Sequence, residues 1–294
     1  MSCPLADGHD ARCRQNAYPK RGRVSWGAMS SRAAGTPLTT LAAAALLGLW
    51  AAGAAAQDIN PDRPDLTTSA EVVPAGALQI ETGLEYERAR VGGGPTERQL
   101  SVQGVLRLGL TPALEISLEG VPFVWLRAAE DDHGSGDYTL GLKYRFHAPP
   151  PDGAGPALAL KPFVKLPTAR EPIGSERTDF GALLLMTLGL PWGLSLDANA
   201  GVTAIGQRRP DGFIPQGIAS ASLSWAVTER LSTITELFFS TKDERAGRDS
   251  LLTTVALMYR VTPRLAVDTG MRTTLTGQGP DWSAFIGLSV RLWR

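Results

Sequence analysis

The sequence predicts an all-β protein, a transmembrane antiparallel up-and-down β-barrel of about 12 strands preceded by a signal peptide. Three observations carry that expectation. Segments near 11 residues long alternate apolar and polar side chains with period two. Near-copies of one short turn recur only after even-numbered segments. An apolar run close to the N-terminus ends in small residues, as a secretory signal does.

The apolar run comes first in the chain. Met29-Ser30-Ser31-Arg32 supplies a short basic start, Leu38 to Trp50 an oily stretch, and Ala54-Ala55-Ala56 a cleavage site before Gln57. Such a run is too short to read comfortably as a spanning helix. Residues 1–56 are therefore expected to be an upstream segment and signal peptide, with Met29 expected as the true start. Residues 1–28 are polar and lack any hydrophobic period. Cys3 and Cys13, the two cysteines, precede the cleavage site, so a chain starting at Gln57 has neither disulfide nor cysteine metal site.

From Gln57 onward 23 Lys and Arg face 27 Asp and Glu, a net charge of −4, and the whole chain is neutral. No basic excess exists to hold nucleic acid. No run of 18 apolar residues follows the signal, which argues against membrane-spanning helices.

Residues 57–76 read as a periplasmic lead-in, and 77–294 as the barrel. The expected strands are 77–88, 98–109, 113–124, 137–147, 157–166, 179–189, 193–204, 215–226, 230–240, 250–260, 264–274 and 281–293. Alternation is plainest in the first, where Leu78, Ile80, Thr82, Leu84 and Tyr86 oppose Gln79, Glu81, Gly83, Glu85 and Glu87. In the fourth, Tyr138, Leu140, Leu142, Tyr144 and Phe146 oppose Thr139, Gly141, Lys143 and Arg145. Most segments are long for a soluble sheet and suit a tilted strand crossing hydrocarbon.

The turns set polarity. Leu110-Thr-Pro-Ala-Leu114, Leu190-Pro-Trp-Gly-Leu194, Val227-Thr-Glu-Arg-Leu231 and Val261-Thr-Pro-Arg-Leu265 all lie at one end. The proline-rich connection 148–156 shares that end, where prolines that cannot donate to a ladder lie outside the strands. Longer polar connections, 89–97, 125–136, 167–178, 205–214, 241–249 and 275–280, fall at the other end. Short periplasmic turns with longer outer loops are the asymmetry of outer-membrane barrels.

A soluble sandwich also alternates. Strand length, the signal and the turn parity favour a closed barrel, in which every backbone polar group finds a partner and no edge meets lipid. The mixed face then looks inward. Its candidate lumen-facing charges are Glu81, Glu85, Glu115, Glu119, Lys143, Arg145, Lys161, Lys165, Asp197, Glu236, Asp268 and Arg272. Two readings of them stand: opposed acidic and basic walls that orient a solute, or pairs across the lumen that hold a narrow barrel shut. Ser220, Ser222 and Ser224 are mild candidates for a polar stripe on the lipid face.

Asp62-Arg63-Pro64-Asp65, followed by Val73-Pro-Ala-Gly-Ala-Leu-Gln-Ile-Glu-Thr-Gly83, resembles the opening of the outer-membrane family labelled "Putative MetA-pathway of phenol degradation". Tyr138-Thr-Leu-Gly-Leu-Lys-Tyr-Arg145, Leu166-Pro-Thr168 and the Leu-Thr-x-x-Leu turns are similar too, and the likeness spans 60–293. The resemblance implies a barrel in the outer membrane of a Gram-negative bacterium, passing small or aromatic solutes. It supports location better than it supports any ligand.

No enzyme or cofactor signature accompanies it. His133 and His147 have no third ligand at zinc-like spacing. His133-Gly-Ser135-Gly-Asp137 reads more simply as a polar loop than as a catalytic set, and Gly92 to Gly94 as a loop tip without a phosphate-binding lysine. A barrel phospholipase would need a serine and histidine near the rim, and neither histidine has a mid-strand partner. Asp62 to Asp65 are either an extended lead-in with solvated charges or a plug at the inner mouth, and Arg170 to Asp179 either a projecting loop or a gate. The function expected is a passive outer-membrane channel for small solutes, hydrophobic or aromatic compounds being a favoured subset. The alternative is a non-conducting structural or surface-binding barrel. The partners expected are outer-membrane lipid, a small solute and the barrel-insertion machinery.

Overall fold

The computed structural model describes residues 58–90, 96–128, 131–150, 155–208 and 210–293. The signal, Met29, both cysteines, Gly92 to Gly94 and the middle of the proline-rich connection lie outside the described residues.

Thirteen strands follow in order: β1 (Leu78–Arg90), β2 (Thr96–Thr111), β3 (Leu114–Arg127), β4 (Asp132–Gly134), β5 (Tyr138–His147), β6 (Pro156–Leu166), β7 (Asp179–Leu190), β8 (Leu194–Arg208), β9 (Asp211–Ala226), β10 (Leu231–Ser240), β11 (Ser250–Thr262), β12 (Leu265–Thr276) and β13 (Trp282–Arg291). Each pairs antiparallel with its chain neighbour, except that β4 and β5 both pair with β3, and β1 pairs β13 from Gln79↔Arg291 to Arg88↔Trp282, closing the sheet. β4 is no extra stave. Gly120 faces Tyr138 of β5, and four residues on Val124 faces Gly134 of β4, the same register with a break between. The wall is thus a closed barrel of 12 staves, and closure leaves no sheet edge.

Alternation sorts the two faces. Val202 and Ile286 are 65% and 60% exposed on the outside, with Leu84, Leu106, Ile116, Val255 and Met271 also exposed. Outward aromatics gather near both ends, Tyr86, Trp125 and Phe213 towards the loops and Tyr144, Trp225 and Tyr259 towards the turns. An apolar waist between aromatic rims is what hydrocarbon between two interfaces selects. Inside, rings cover glycines: a side chain at Gly270 would strike Phe285, and one at Gly181 would strike Phe163.

Three expectations change. The connection 205–214 is no long loop, because β8 and β9 stay paired to Arg208↔Asp211 and turn there. Ser220, Ser222 and Ser224 do not face lipid: opposite Asn199, Asp197 and Ser195 they sit on the inner face, Ser222 fully buried. Residues 58–76 are no extended lead-in with solvated charges. They lie inside the barrel, and Arg63, Thr67, Thr68, Ser69, Ala70, Val72 and Val73 are buried.

Candidate functional site: the lumen and its N-terminal strap

Residues 58–76 form an irregular strap, and between its ends, where Ile59 and Gly76 donate to the backbone oxygens of Pro263 and Gly109, its N–H groups lie outside the ladders. Buried unpaired N–H groups are costly, and the inner wall supplies acceptors instead. The strap enters at the short-turn end, where Ile59 N–H donates to Pro263 O at 2.8 Å. Glu81 of β1 then accepts the N–H groups of Asp62 and Arg63, each at 3.0 Å. Across the lumen, Glu236 of β10 accepts Leu66 N–H at 2.8 Å and both Thr67 N–H and its hydroxyl at 2.7 Å. Asn199 of β8 accepts Thr68 N–H at 2.8 Å and donates back to Thr68 O at 2.7 Å. Thr187 of β7 takes Ala70 N–H at 2.8 Å, and Glu115 of β3 takes Val73 N–H at 2.7 Å. Ala70 meanwhile packs on Ala157, Ala159 and Leu185, the apolar part of the inner wall. The strap makes a circuit of the barrel interior before rejoining β1.

Its side chains bind the charges together. Arg107 of β2 grips Glu115 with two bonds, 2.8 and 3.0 Å, reaches Glu81 at 3.0 Å and Asp62 at 3.4 Å. Lys143 lies 3.1 Å from Asp62 and 3.7 Å from Glu115. Arg63 pairs with Asp268 at 3.2 Å and donates to Gln103 at 2.8 Å. Arg145 pairs with Glu71, and Asp197 accepts the Thr187 hydroxyl. Buried charges persist only where each is paired and hydrogen-bonded, and here the strap supplies part of every central set.

Nearer the loop end the wall pairs with itself. Lys161 lies 2.6 Å from Glu119, Lys165 2.5 Å from Asp179 and Arg272 2.8 Å from Glu85. Here the structure brings acids and bases together as local pairs, and among the described residues no bare acidic wall faces a bare basic one. A cavity of about 350 Å³ opens on the loop side of the strap. Its floor is Asp62 to Leu66 and its sides include Gln103, Glu119, Thr139, Lys161 and Arg272, with no aromatic side chain in the lining.

The segment 170–179 is tied at both flanks. Ser175 donates to Asp137 at 3.1 Å on one side, and Asp179 accepts Gly206 N–H at 2.8 Å on the other. His133 stacks against Phe123 with ring centres 6.3 Å apart, while Asp137 is engaged by Ala169 and Ser175. Among the described residues no group of three His, Cys, Asp or Glu could hold a metal ion.

Sequence reasoning singled out the acids and bases of the inner face but missed Arg107, Gln103 and Asn199. Arg107 was readable as an inward position in mid-strand. The strap's contacts left no such signal, since they are made by backbone N–H groups.

The family model described as "Putative MetA-pathway of phenol degradation" matches residues 61–292, strap included. No curated protein sequence matches. Among solved structures the chain is similar to the COG4313 outer membrane channel from Pseudomonas putida F1, at 15% identity and TM-score 0.60, covering 80% of this chain and 100% of that one. It is also similar to the NanC porin, at 11% identity and TM-score 0.51, covering 73% and 99%. At these identities the likeness is one of fold.

Proposed function

This chain belongs to the family described as "Putative MetA-pathway of phenol degradation", and from that premise we propose that it is an outer-membrane channel for small solutes, held closed by its N-terminal strap. The observation that carries this reading is the strap itself. Side chains alone fill a barrel of about eight strands, and one of 12 encloses a wider lumen. This one fills it with a separate segment attached by hydrogen bonds, above which a solute-sized cavity opens on the loop side. The apolar waist and aromatic rims support a membrane position, and the longer connections mark the outward end.

The cavity lining favours small polar or charged solutes, since Lys161, Glu119, Arg63 and Arg272 offer both signs and no ring. Small phenolic solutes are the second reading, supported by the family's description. Passage needs the strap to loosen, and among the described residues nothing in the lumen calls for a cofactor.

Planar-bilayer recording tests this with the full chain and the double variant Glu81→Gln, Glu236→Gln. The neutral amides keep an acceptor oxygen but weaken the strap's anchorage. Expected are rare, small openings in the parent and frequent, larger steps in the variant. Identical silence from both, with folding confirmed by circular dichroism, would favour the structural barrel. Block of the variant's current by a phenol, but not by small organic acids or amines, would move the solute to the aromatic class.

A further inference from the structure

We propose that the outer face of β1 to β3 at the loop end binds the phosphorylated headgroup of a glycolipid in the surrounding leaflet. The inference rests on the membrane position argued above, but not on conduction. Arg88 faces Arg98, and Arg98 faces Arg127, so three outward arginines stand side by side on adjacent strands. Neighbouring strands are about 4.8 Å apart, so the row spans roughly 10 Å. Arg90 lies one outward step further on β1, opposite Thr96.

Like charges set directly opposite one another destabilise a sheet. Among the described residues nothing in the wall offsets these. Every outward position of β1 and β2 within the described strands is apolar, Thr, Gly or Arg. Among the described residues no acid makes an ion pair with Arg88, Arg98 or Arg127, Asp131 and Asp132 of the nearby hairpin included. The Arg88 Nε is buried without a hydrogen-bond partner. In a chain of zero net charge whose lumen residues Arg63, Arg107, Arg145 and Arg272 are held by carboxylates, such a row calls for anions from outside.

What lies beside the row selects the anion. One step towards the waist the same strands carry Tyr86, Leu100 and Trp125, again in cross-strand register. Trp282, opposite Arg88, packs at a tilt on Tyr86 with ring centres 5.5 Å apart. A groove of about 410 Å³ runs between Tyr86, Arg98, Gln99, Leu100, Trp125 and Arg127. Cations above an aromatic and aliphatic shelf fit an amphiphile whose phosphates meet guanidinium forks while its chains lie along the waist. A headgroup with two phosphates spaced across a disaccharide matches the length of the row, and so the proposal commits to the diphosphorylated glycolipid type.

The test is native mass spectrometry of the full chain in detergent with diphosphoryl lipid A, phosphatidylglycerol or inorganic phosphate added. The parent is compared with the triple variant Arg88→Gln, Arg98→Gln, Arg127→Gln. Each interfacial arginine contributes about fivefold to anionic-lipid affinity, so the triple variant should retain the glycolipid about a hundredfold more weakly. The single variant Arg98→Gln should lose about fivefold. These side chains are outward and make no ion pair among the described residues, so folding should survive; the heat-induced gel shift of the barrel verifies it. Equal retention by parent and triple variant overturns the proposal. Phosphatidylglycerol held as tightly as the glycolipid overturns the choice of headgroup, and competition by millimolar phosphate alone reduces the row to a free-anion site. Because the readout needs no current, a silent channel leaves it intact, and lost lipid binding leaves the channel reading intact.

Discussion

Strand β2 carries two arginines nine residues apart in opposite situations. Arg107 points into the lumen, fully buried, and is held by Glu81, Glu115 and Asp62. Arg98 points outward, is exposed, and has only Arg88 and Arg127 for cross-strand neighbours. A charge taken out of water must find its counter-charges within the fold, so around Arg107 the acids of three elements converge. At the exposed rim, water or the membrane can do that work. The same residue type therefore reports closure of the lumen on one face and readiness for an outside partner on the other.

The sharpest way to break the comparison is to remove each cation in turn. Arg107→Ala strands Glu81 and Glu115 in a buried site, and the loss should be about 3–5 kcal/mol. Thermal unfolding in detergent, followed by circular dichroism, should show a large fall or failure to refold. Arg98→Ala should stay within about 0.5 kcal/mol of the parent. Were the two variants equally damaged, the distinction between inner and outer arginines would collapse.

A smaller effect is expected at the strap's far anchor. Glu236 accepts three bonds from Leu66 and Thr67 on one oxygen and the Thr254 hydroxyl on the other. Glu236→Leu removes all of them and leaves two strap N–H groups bare, a cost of about 2–4 kcal/mol at roughly 1–2 per group. That cost falls on the strap while the β10 ladder stays whole. Hydrogen exchange should therefore speed at residues 62–70 before the strands change. Uniform exchange across the barrel would mean that strap and wall open only together.

How much of this was legible in the sequence follows from which atoms make each contact. All 12 staves were readable, because lipid outside and polar groups inside impose alternation on side chains, and Leu110 to Leu114 or Val261 to Leu265 mark turns by residue type. The strap was not. Its path depends on backbone N–H groups, which Asp62, Leu66 and Val73 share with any residue, and on acceptors more than a hundred positions away for Leu66, Thr67 and Thr68. The acids were found but their use was not, since a mid-strand Glu looks the same whether it guides a solute or caps a strap. Ser220, Ser222 and Ser224 were placed on the wrong face because Ala219, Ala221 and Ser220, Ser222 contrast too weakly to fix which side is oily.

Salt separates the two classes of arginine by a gentler route. Screening length falls from about 10 Å at 0.1 M to about 3 Å at 1 M, and it acts on exposed charges far more than on buried ones. Between those concentrations the melting temperature of the parent, set partly by Arg107 and its acids, should move little. Retention of the phosphorylated glycolipid by Arg88, Arg98 and Arg127 should drop several-fold over the same range. A melting curve as salt-sensitive as lipid retention would mean that water reaches the pairs around Arg107.

The smallest expected effect tests the premise beneath the comparison, that an exposed side chain without a partner in the chain contributes little to the fold. Trp192, in the turn between β7 and β8, is 87% exposed and sits at φ 61°, ψ 28°. A bulky side chain is strained in that left-handed region, where Asn is tolerated better. In detergent Trp192→Asn should leave stability unchanged or raise it by less than about 1 kcal/mol. In lipid vesicles the ring's position at the turn end makes it an interfacial anchor, and the same change should cost a few tenths of a kcal/mol, of order ~0.5. A loss above about 1 kcal/mol in detergent would show the ring supporting the turn itself. Exposure would then be a poor guide at Arg98 as well, and the stability of Arg98→Ala would become the deciding measurement.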